Sequence, residues 1–155
     1  MGTNNAFKWI IQLLELNDIP YLICGGLAAN AYGSKRLLND IDIFVPNTNY
    51  FDVVTLGDEY ISYGPERYRD QHWDVEYVQF TYEGQKIEVG SSDEVKIFNS
   101  NSNSWVALEL NFDSFSTISL LGRKVKVMNK SELVSYKSKL AREVDLIDVN
   151  EIKSA

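Results

Sequence analysis

A chain of 155 residues is long enough to bury one hydrophobic core and too short for two domains of ordinary size, so a single domain over residues 1–155 is expected. A hydrophobic fraction of 45% with 24% charged residues excludes a disordered chain or a disulfide scaffold. No apolar run approaches the roughly 20 residues that cross a bilayer, so no membrane partner is expected, and a net charge of -7 disfavours nonspecific nucleic-acid binding.

The opening Met1-Gly2-Thr3-Asn4-Asn5 has neither the charged start nor the apolar stretch of a signal peptide, and the expected compartment is the cytoplasm. From Ala6 to Leu16, Phe7, Ile10, Leu13 and Leu14 recur at helical spacing opposite Lys8, Gln12 and Glu15, which predicts an amphipathic helix. Asn17-Asp18 and Pro20 end it, and Tyr21 to Cys24 reads as a strand covered on both faces, stopped by Gly25-Gly26. The one cysteine, Cys24, lies inside this apolar run and reads as a buried thiol. Leu27 to Tyr32 is rich in alanine and predicts a short helix; Gly33 ends it, and Ser34-Lys35-Arg36 form a polar connection. Asp40 to Val45, Asp-Ile-Asp-Ile-Phe-Val, is the second strand, closed by Pro46. Tyr50 to Ile61 allows a surface helix, and Pro65 to His72 reads as a loop. Val75 to Tyr82, the turn Glu83-Gly84 and Lys86 to Val89 predict a hairpin. The run Asn99 to Ser104 reads as an exposed loop, and Thr117 to Leu121 with Lys124 to Met128 as a second hairpin. Asn129 with Glu132 has the spacing of a helix N-cap pair, and Leu133, Tyr136, Leu140 and Val144 carry helical spacing into a terminal helical region.

Chemistry concentrates in the segment that runs from Gly25-Gly26 through a short helix to Asp40 and Asp42. Side chains alternate on a strand, so Asp40 and Asp42 project from one face while Ile41 and Ile43 project from the other. Two carboxylates side by side repel unless cations sit between them, and hard oxygen ligands select Mg2+ or Mn2+. Two such ions about 4 Å apart clamp the attacking and leaving oxygens of a phosphoryl transfer. Gly25 and Gly26 let backbone approach phosphate oxygens, and the following helix points N–H groups at the same spot.

Gly25-Gly26, a short helix, Arg36 four residues before Asp40, and Asp40-Ile41-Asp42-Ile43 resemble the signature of the DNA polymerase β-type nucleotidyltransferase superfamily. Its minimal bacterial members, of the lincosamide, AbiEii and minimal-nucleotidyltransferase kinds, are the nearest in size. The likeness is strongest over residues 20 to 45 and extends more loosely through Ile87-Glu88-Val89 and the tail Lys137 to Ile152. It implies an α+β nucleotidyltransferase fold, a mixed sheet with helices chiefly on one face. It also implies Asp40, Asp42 and Glu88 as metal-binding and catalytic residues, and Gly25, Gly26, Ser34, Lys35 and Arg36 as nucleotide contacts. Leu38 departs from the Thr or Ser often found two residues before the first aspartate, which removes a hydroxyl contact to nucleotide.

Glu76 and Glu109, each flanked by apolar residues, rival Glu88 for the third carboxylate. Lys137 reads as a solvated helix residue, Asp145 and Asp148 as capping or solvated. His72, the one histidine, reads as a loop residue, and Tyr63, Tyr68 and Trp73 near it are candidates to stack on a base or an aromatic acceptor. The implied activity is transfer of a nucleoside monophosphate from an NTP to a hydroxyl of an acceptor the sequence does not name, whether small molecule, protein or RNA. The alternative is an inactive binding module of the same fold, such as a toxin–antitoxin partner. Because so short a chain leaves little room for an acceptor domain, a homodimer or partner protein is expected to supply part of the cleft.

Overall fold

The structure, a computed structural model, describes residues 2–155, and Met1 lies outside the described residues. Helix α1 (Gly2–Leu16) begins four residues before its apolar pattern does. Its first turn is tied down by Thr3 donating to Gln85 at 2.6 Å and Asn5 donating to Glu83 at 2.8 Å. Strand β1 (Leu22–Cys24) leads into α2 (Gly25–Ala31), so this helix starts at the glycines themselves, two residues earlier than helix propensity suggests. Then follow β2 (Asp40–Val45), α3 (Asn47–Leu56) and a 3-10 turn (Asp58–Tyr60), which replace the weak helix expected from Tyr50.

Strands β3 (Ile61–Arg69), β4 (Trp73–Tyr82) and β5 (Gln85–Ser91) come next. β3 corrects the loop expected over Pro65 to His72. It pairs with β4 as an exposed edge, with one register shift between Ile61 and Tyr63 and a second across Gly64-Pro65. An edge strand tolerates a proline, which has no N–H to give, and exposure on both of its faces erases the alternation that marks a half-buried strand. A hairpin of β6 (Lys96–Asn99) and β7 (Ser104–Ala107) flanks the Asn/Ser-rich run, of which residues 100 to 103 form the turn. The hairpin of β8 (Ser116–Leu120) and β9 (Arg123–Val127) falls where the sequence puts it.

Helix α4 (Lys130–Leu140) has Asn129 at its N-cap position, yet the Asn129 side chain bonds Ser114 and Ser116 and leaves the helix N–H groups uncapped. Ala141, at φ +51°, breaks the terminal region, and α5 (Glu143–Ser154) starts afresh. The nine strands form one mixed sheet in the order β7-β6-β4-β5-β2-β1-β9-β8, with β3 on the free side of β4. β2 runs parallel to β5, and β1 to β9.

This register sorts the two faces of the sheet. Ile41, Ile87 and Phe80 stand in one cross-strand row, and Ile43, Val89 and Val78 in the next; all six are buried. Helix α1 packs its Phe7, Ile10, Ile11 and Leu14 on this side and, with α3, closes the core. The opposite face carries the row Cys24, Asp42, Glu88, Gln79 across β1, β2, β5 and β4. Helices α2, α4 and α5 pack on one another at the rim of that face and leave a cavity of about 410 Å³ over it.

Candidate active site

Asp42 stands at the centre of the open face because β1 and β5 hydrogen-bond on either side of β2. Its Cα partners are Cys24 on one side and Glu88 on the other. Asp40, two residues earlier, points the same way beside Lys86. Asp40, Asp42 and Glu88 all line the cavity. Neither Asp42 nor Glu88 forms an ion pair among the described residues. Burial, then the charge of Asp40, pushes Asp42 up to about 6; burial, then Asp42 and Asp40, pushes Glu88 up to about 7. The other two glutamates lie away from the cavity: Glu76 is on the other face of β4 from Tyr77 and Gln79, and exposed Glu109 is absent from the cavity wall.

The turn from β1 into α2 brings backbone against this carboxylate row. Gly25 takes φ +61°, and a Cβ there would land on Asp42 Oδ2 and within 2.9 Å of Asp42 Cβ. Its N–H donates to the Tyr136 hydroxyl at 2.9 Å. Gly25→Ala is expected to lower stability by about 2 kcal/mol or more in thermal denaturation, from left-handed strain and displacement of Asp42 together. Gly84→Ala, with φ +81° but nothing within 4 Å of a Cβ, isolates the strain alone and should cost about half as much.

Beneath the carboxylates lies a second charged layer that sequence reading largely misses. Lys137 is buried, 2% exposed, with its Nζ 3.0 Å from Asp148 Oδ2 and 3.4 Å from Asp145 Oδ1, both side chains at 0%. Asp148 also takes Arg36 bidentately, Nε at 3.0 Å and Nη2 at 2.8 Å, and Ser34 Oγ at 2.8 Å. Asp145 accepts the Arg142 backbone N–H at 3.2 Å and its Nε at 2.7 Å. Asp145 thus caps α5 as expected, while neither it nor Asp148 is solvated, and Lys137 is no surface residue. The hydrogen bond from Arg36 leads the groups that hold Asp148 below the usual carboxylate range against its burial. Three cations to two carboxylates leave this layer positive, and Arg36, Lys137 and Arg142 all line the cavity. The spacing of Asp145 and Asp148 on one face of α5, opposite a lysine on the preceding helix, is the sequence signal for this layer.

Gly26 also lines the cavity, whereas Ser34 and Lys35 do not; Ser34 is buried against Asp148 and Glu151. Tyr68, Trp73, Tyr77 and Phe44 make an aromatic wall on the β3–β4 side, with the Trp73 and Tyr136 rings 6.0 Å apart at 70°. Tyr63 stacks on Tyr77 at 5.6 Å outside the wall, and His72 is not part of it.

No family model matches this chain, and no curated protein matches it in sequence. Solved structures do. A Thermotoga maritima protein regarded as a nucleotidyltransferase superposes with a TM-score of 0.73 at 14% identity, over 97% of this chain and 91% of that one. The lincosamide antibiotic adenylyltransferase LnuA, solved with lincomycin bound, gives 0.63 at 18% identity over 96% and 94%. ANT(2″)-Ia in complex with adenylyl-2″-tobramycin gives 0.64 at 13% identity over 99% and 89%. With its mixed sheet, its glycine turn and its carboxylate row set as described, the chain has the nucleotidyltransferase fold.

Proposed function

We propose that the protein transfers a nucleoside monophosphate from an NTP to a hydroxyl group, releasing pyrophosphate, with Mg2+ or Mn2+ as cofactor. The carrying observation is the cavity itself, where the unpaired row of Asp40, Asp42 and Glu88 stands beside the positive layer of Arg36, Lys137 and Arg142. A nucleoside triphosphate joins the needs of both, because its phosphate chain offers anionic oxygens to the cations and its reacting phosphorus belongs beside the carboxylates.

The donor set fits a hard divalent ion. Its members are carboxylate oxygens on one face of adjacent strands, and burial with mutual repulsion raises Asp42 and Glu88 where a cation would relieve them. No three His, Cys, Asp or Glu side chains among the described residues converge on one point, and Asp40, Asp42 and Glu88, which share the cavity wall, are the residues that would hold the ion. Bound there, it supplies charge stabilisation for the attacking and leaving oxygens. Arg36, Lys137 and Arg142 hold the β- and γ-phosphates and offset the charge that builds on leaving pyrophosphate. The acceptor oxygen bonds to the α-phosphorus as the bond to the bridging oxygen breaks, and Glu88 takes the acceptor proton.

LnuA and ANT(2″)-Ia, with lincomycin and adenylyl-2″-tobramycin in their structures, support a small-molecule acceptor. The aromatic wall of Tyr68, Trp73 and Tyr77 adjoins Glu88 and is the place for it. Among the described residues no helix is long and apolar enough to cross a membrane.

Calorimetry with each NTP, with and without Mg2+, tests the reading. Binding should require the metal and should fall in Asp42→Ala; equal binding in both conditions would sink the proposal. Glu88→Gln should keep nucleotide affinity within about threefold and lower pyrophosphate release by about 10²–10⁴-fold. A protein that binds Mg·NTP yet releases no pyrophosphate with any hydroxyl acceptor would instead be the inactive binding module.

A further inference from the structure

Tyr136 is 3% exposed, and it stands where the glycine turn, Asp42 and the positive layer meet. Its hydroxyl oxygen accepts the Gly25 N–H at 2.9 Å, while its own O–H meets no acceptor among the hydrogen bonds of the described residues. A buried hydroxyl that accepts but does not donate has a proton left to give. The ring is packed on two sides, with Trp73 edge-on at 6.0 Å and the Lys137 Nζ over it at 5.9 Å. Lys137 is in a similar state: its ammonium has three N–H groups, and Asp145 and Asp148 account for two. Two unspent donors from successive residues of α4 therefore border the cavity beside the glycine turn.

We propose that the Tyr136 hydroxyl donates to a phosphate oxygen of the bound nucleotide while still accepting the Gly25 N–H, so that filling the site stiffens the glycine turn. The proposal rests on the nucleotidyl-transfer reading, and it assigns Tyr136, the aromatic residue that lines the cavity on the side of Lys137 and Arg142. Phosphate is the ligand group that matches, because it is an acceptor without protons to give and it is the part of an NTP that Lys137 and Arg142 attract. Donation also polarises the hydroxyl, which makes its oxygen a better acceptor for the amide behind it. Tyr136 thus contacts substrate directly and positions Gly25 indirectly.

The test pairs Tyr136→Phe, which keeps the ring, with the wild-type protein. Calorimetry uses Mg2+ with ATP, GTP, CTP and UTP, and with inorganic tripolyphosphate as a probe without a base. The variant should bind the preferred nucleotide and tripolyphosphate about tenfold more weakly. In the wild-type protein, Mg·NTP should slow hydrogen exchange of the Gly25 amide about tenfold or more, and the variant should lose that protection. Variant affinity within twofold of wild type, or a Gly25 amide in the wild-type protein that exchanges at the same rate with and without nucleotide, would overturn the proposal. The second readout needs no variant, so a folding defect in Tyr136→Phe, checked by its thermal midpoint, cannot obscure the result. If none of the four nucleotides binds wild type, the nucleotidyl-transfer reading itself falls and takes this proposal with it; nucleotide binding that is indifferent to Tyr136 removes this proposal alone.

Discussion

Replacing Asp42 by asparagine is expected to slow nucleotidyl transfer severely and, in metal-free protein at pH 7, to raise stability. The second half follows from electrostatics. Burial and then the neighbouring charge of Asp40 push the Asp42 carboxyl from its ordinary 3.8 to about 6, so the folded state holds its proton more tightly than the unfolded chain does. A group of this kind favours folding at low pH, and the advantage is lost as pH rises from 3.8 through 6. Above that window the native protein carries an ion that water would solvate better. Allowing for screening by water in the cavity, the cost is about 2 kcal/mol, and asparagine removes it.

Denaturant titration of the two proteins across pH should therefore show a gap in favour of Asp42→Asn above pH 6 that closes toward pH 4. Mg2+ with NTP should reverse the order, since the wild-type site gains a ligand the variant cannot hold. Turnover should fall on the order of 10³-fold, the loss expected when a group that stabilises transition-state charge is removed. A variant less stable than wild type at pH 7 would mean that Asp42 has a compensating partner in the native state and is not waiting for a cation.

What was legible in the sequence is what depends on neighbours along the chain. Asp40 and Asp42 alternate with Ile41 and Ile43, so their common face follows from strand geometry once β2 is identified, and Gly25-Gly26 marks the turn that faces them. Glu88 needed more, because its place beside Asp42 is set by a parallel pairing that joins β2 to β5 across 46 positions of sequence. No local pattern separates it from Glu76, which one step of alternation in β4 turns to the other face. The buried charge layer was least legible. Lys137, Asp145 and Asp148 have the composition of a solvated helix surface, and they become an interior only because α4 and α5 fold back against α2. Edge strand β3 was lost for a related reason, since exposure on both of its faces replaces apolar alternation with Glu66, Arg67 and Arg69.

The opposite experiment, Asp148→Ala, is expected to cost about 3–5 kcal/mol, a large share of the roughly 5–15 kcal/mol that holds a domain of this size together. Asp148 has no exposed side-chain surface and takes hydrogen bonds from Arg36, Lys137 and Ser34. Removing it strands two cations, one of them a lysine 2% exposed whose remaining partner, Asp145, is 3.4 Å away and already bound by Arg142. The loss should appear as a lower urea midpoint. Asp148→Asn, which keeps an acceptor without the charge, should fall between wild type and alanine, and exposed Asp113→Ala should stay within about 0.5 kcal/mol of wild type.

The pH dependence has the sign opposite to that of Asp42. Because its partners hold the Asp148 carboxyl below the ordinary 3.8, its contribution is fully present above that value and is lost as pH falls through the native one, so the alanine penalty should shrink in acid. Raising pH should thus widen both gaps, in favour of the variant at position 42 and in favour of wild type at position 148. Asp42 lines the cavity without an ion-pair partner among the described residues, whereas Asp148 is paired with both Arg36 and Lys137. If Asp148→Ala proved no less stable than Asp113→Ala, the paired layer would not be what holds α5 to the glycine turn, and Arg36 and Lys137 would already be free for phosphate without it.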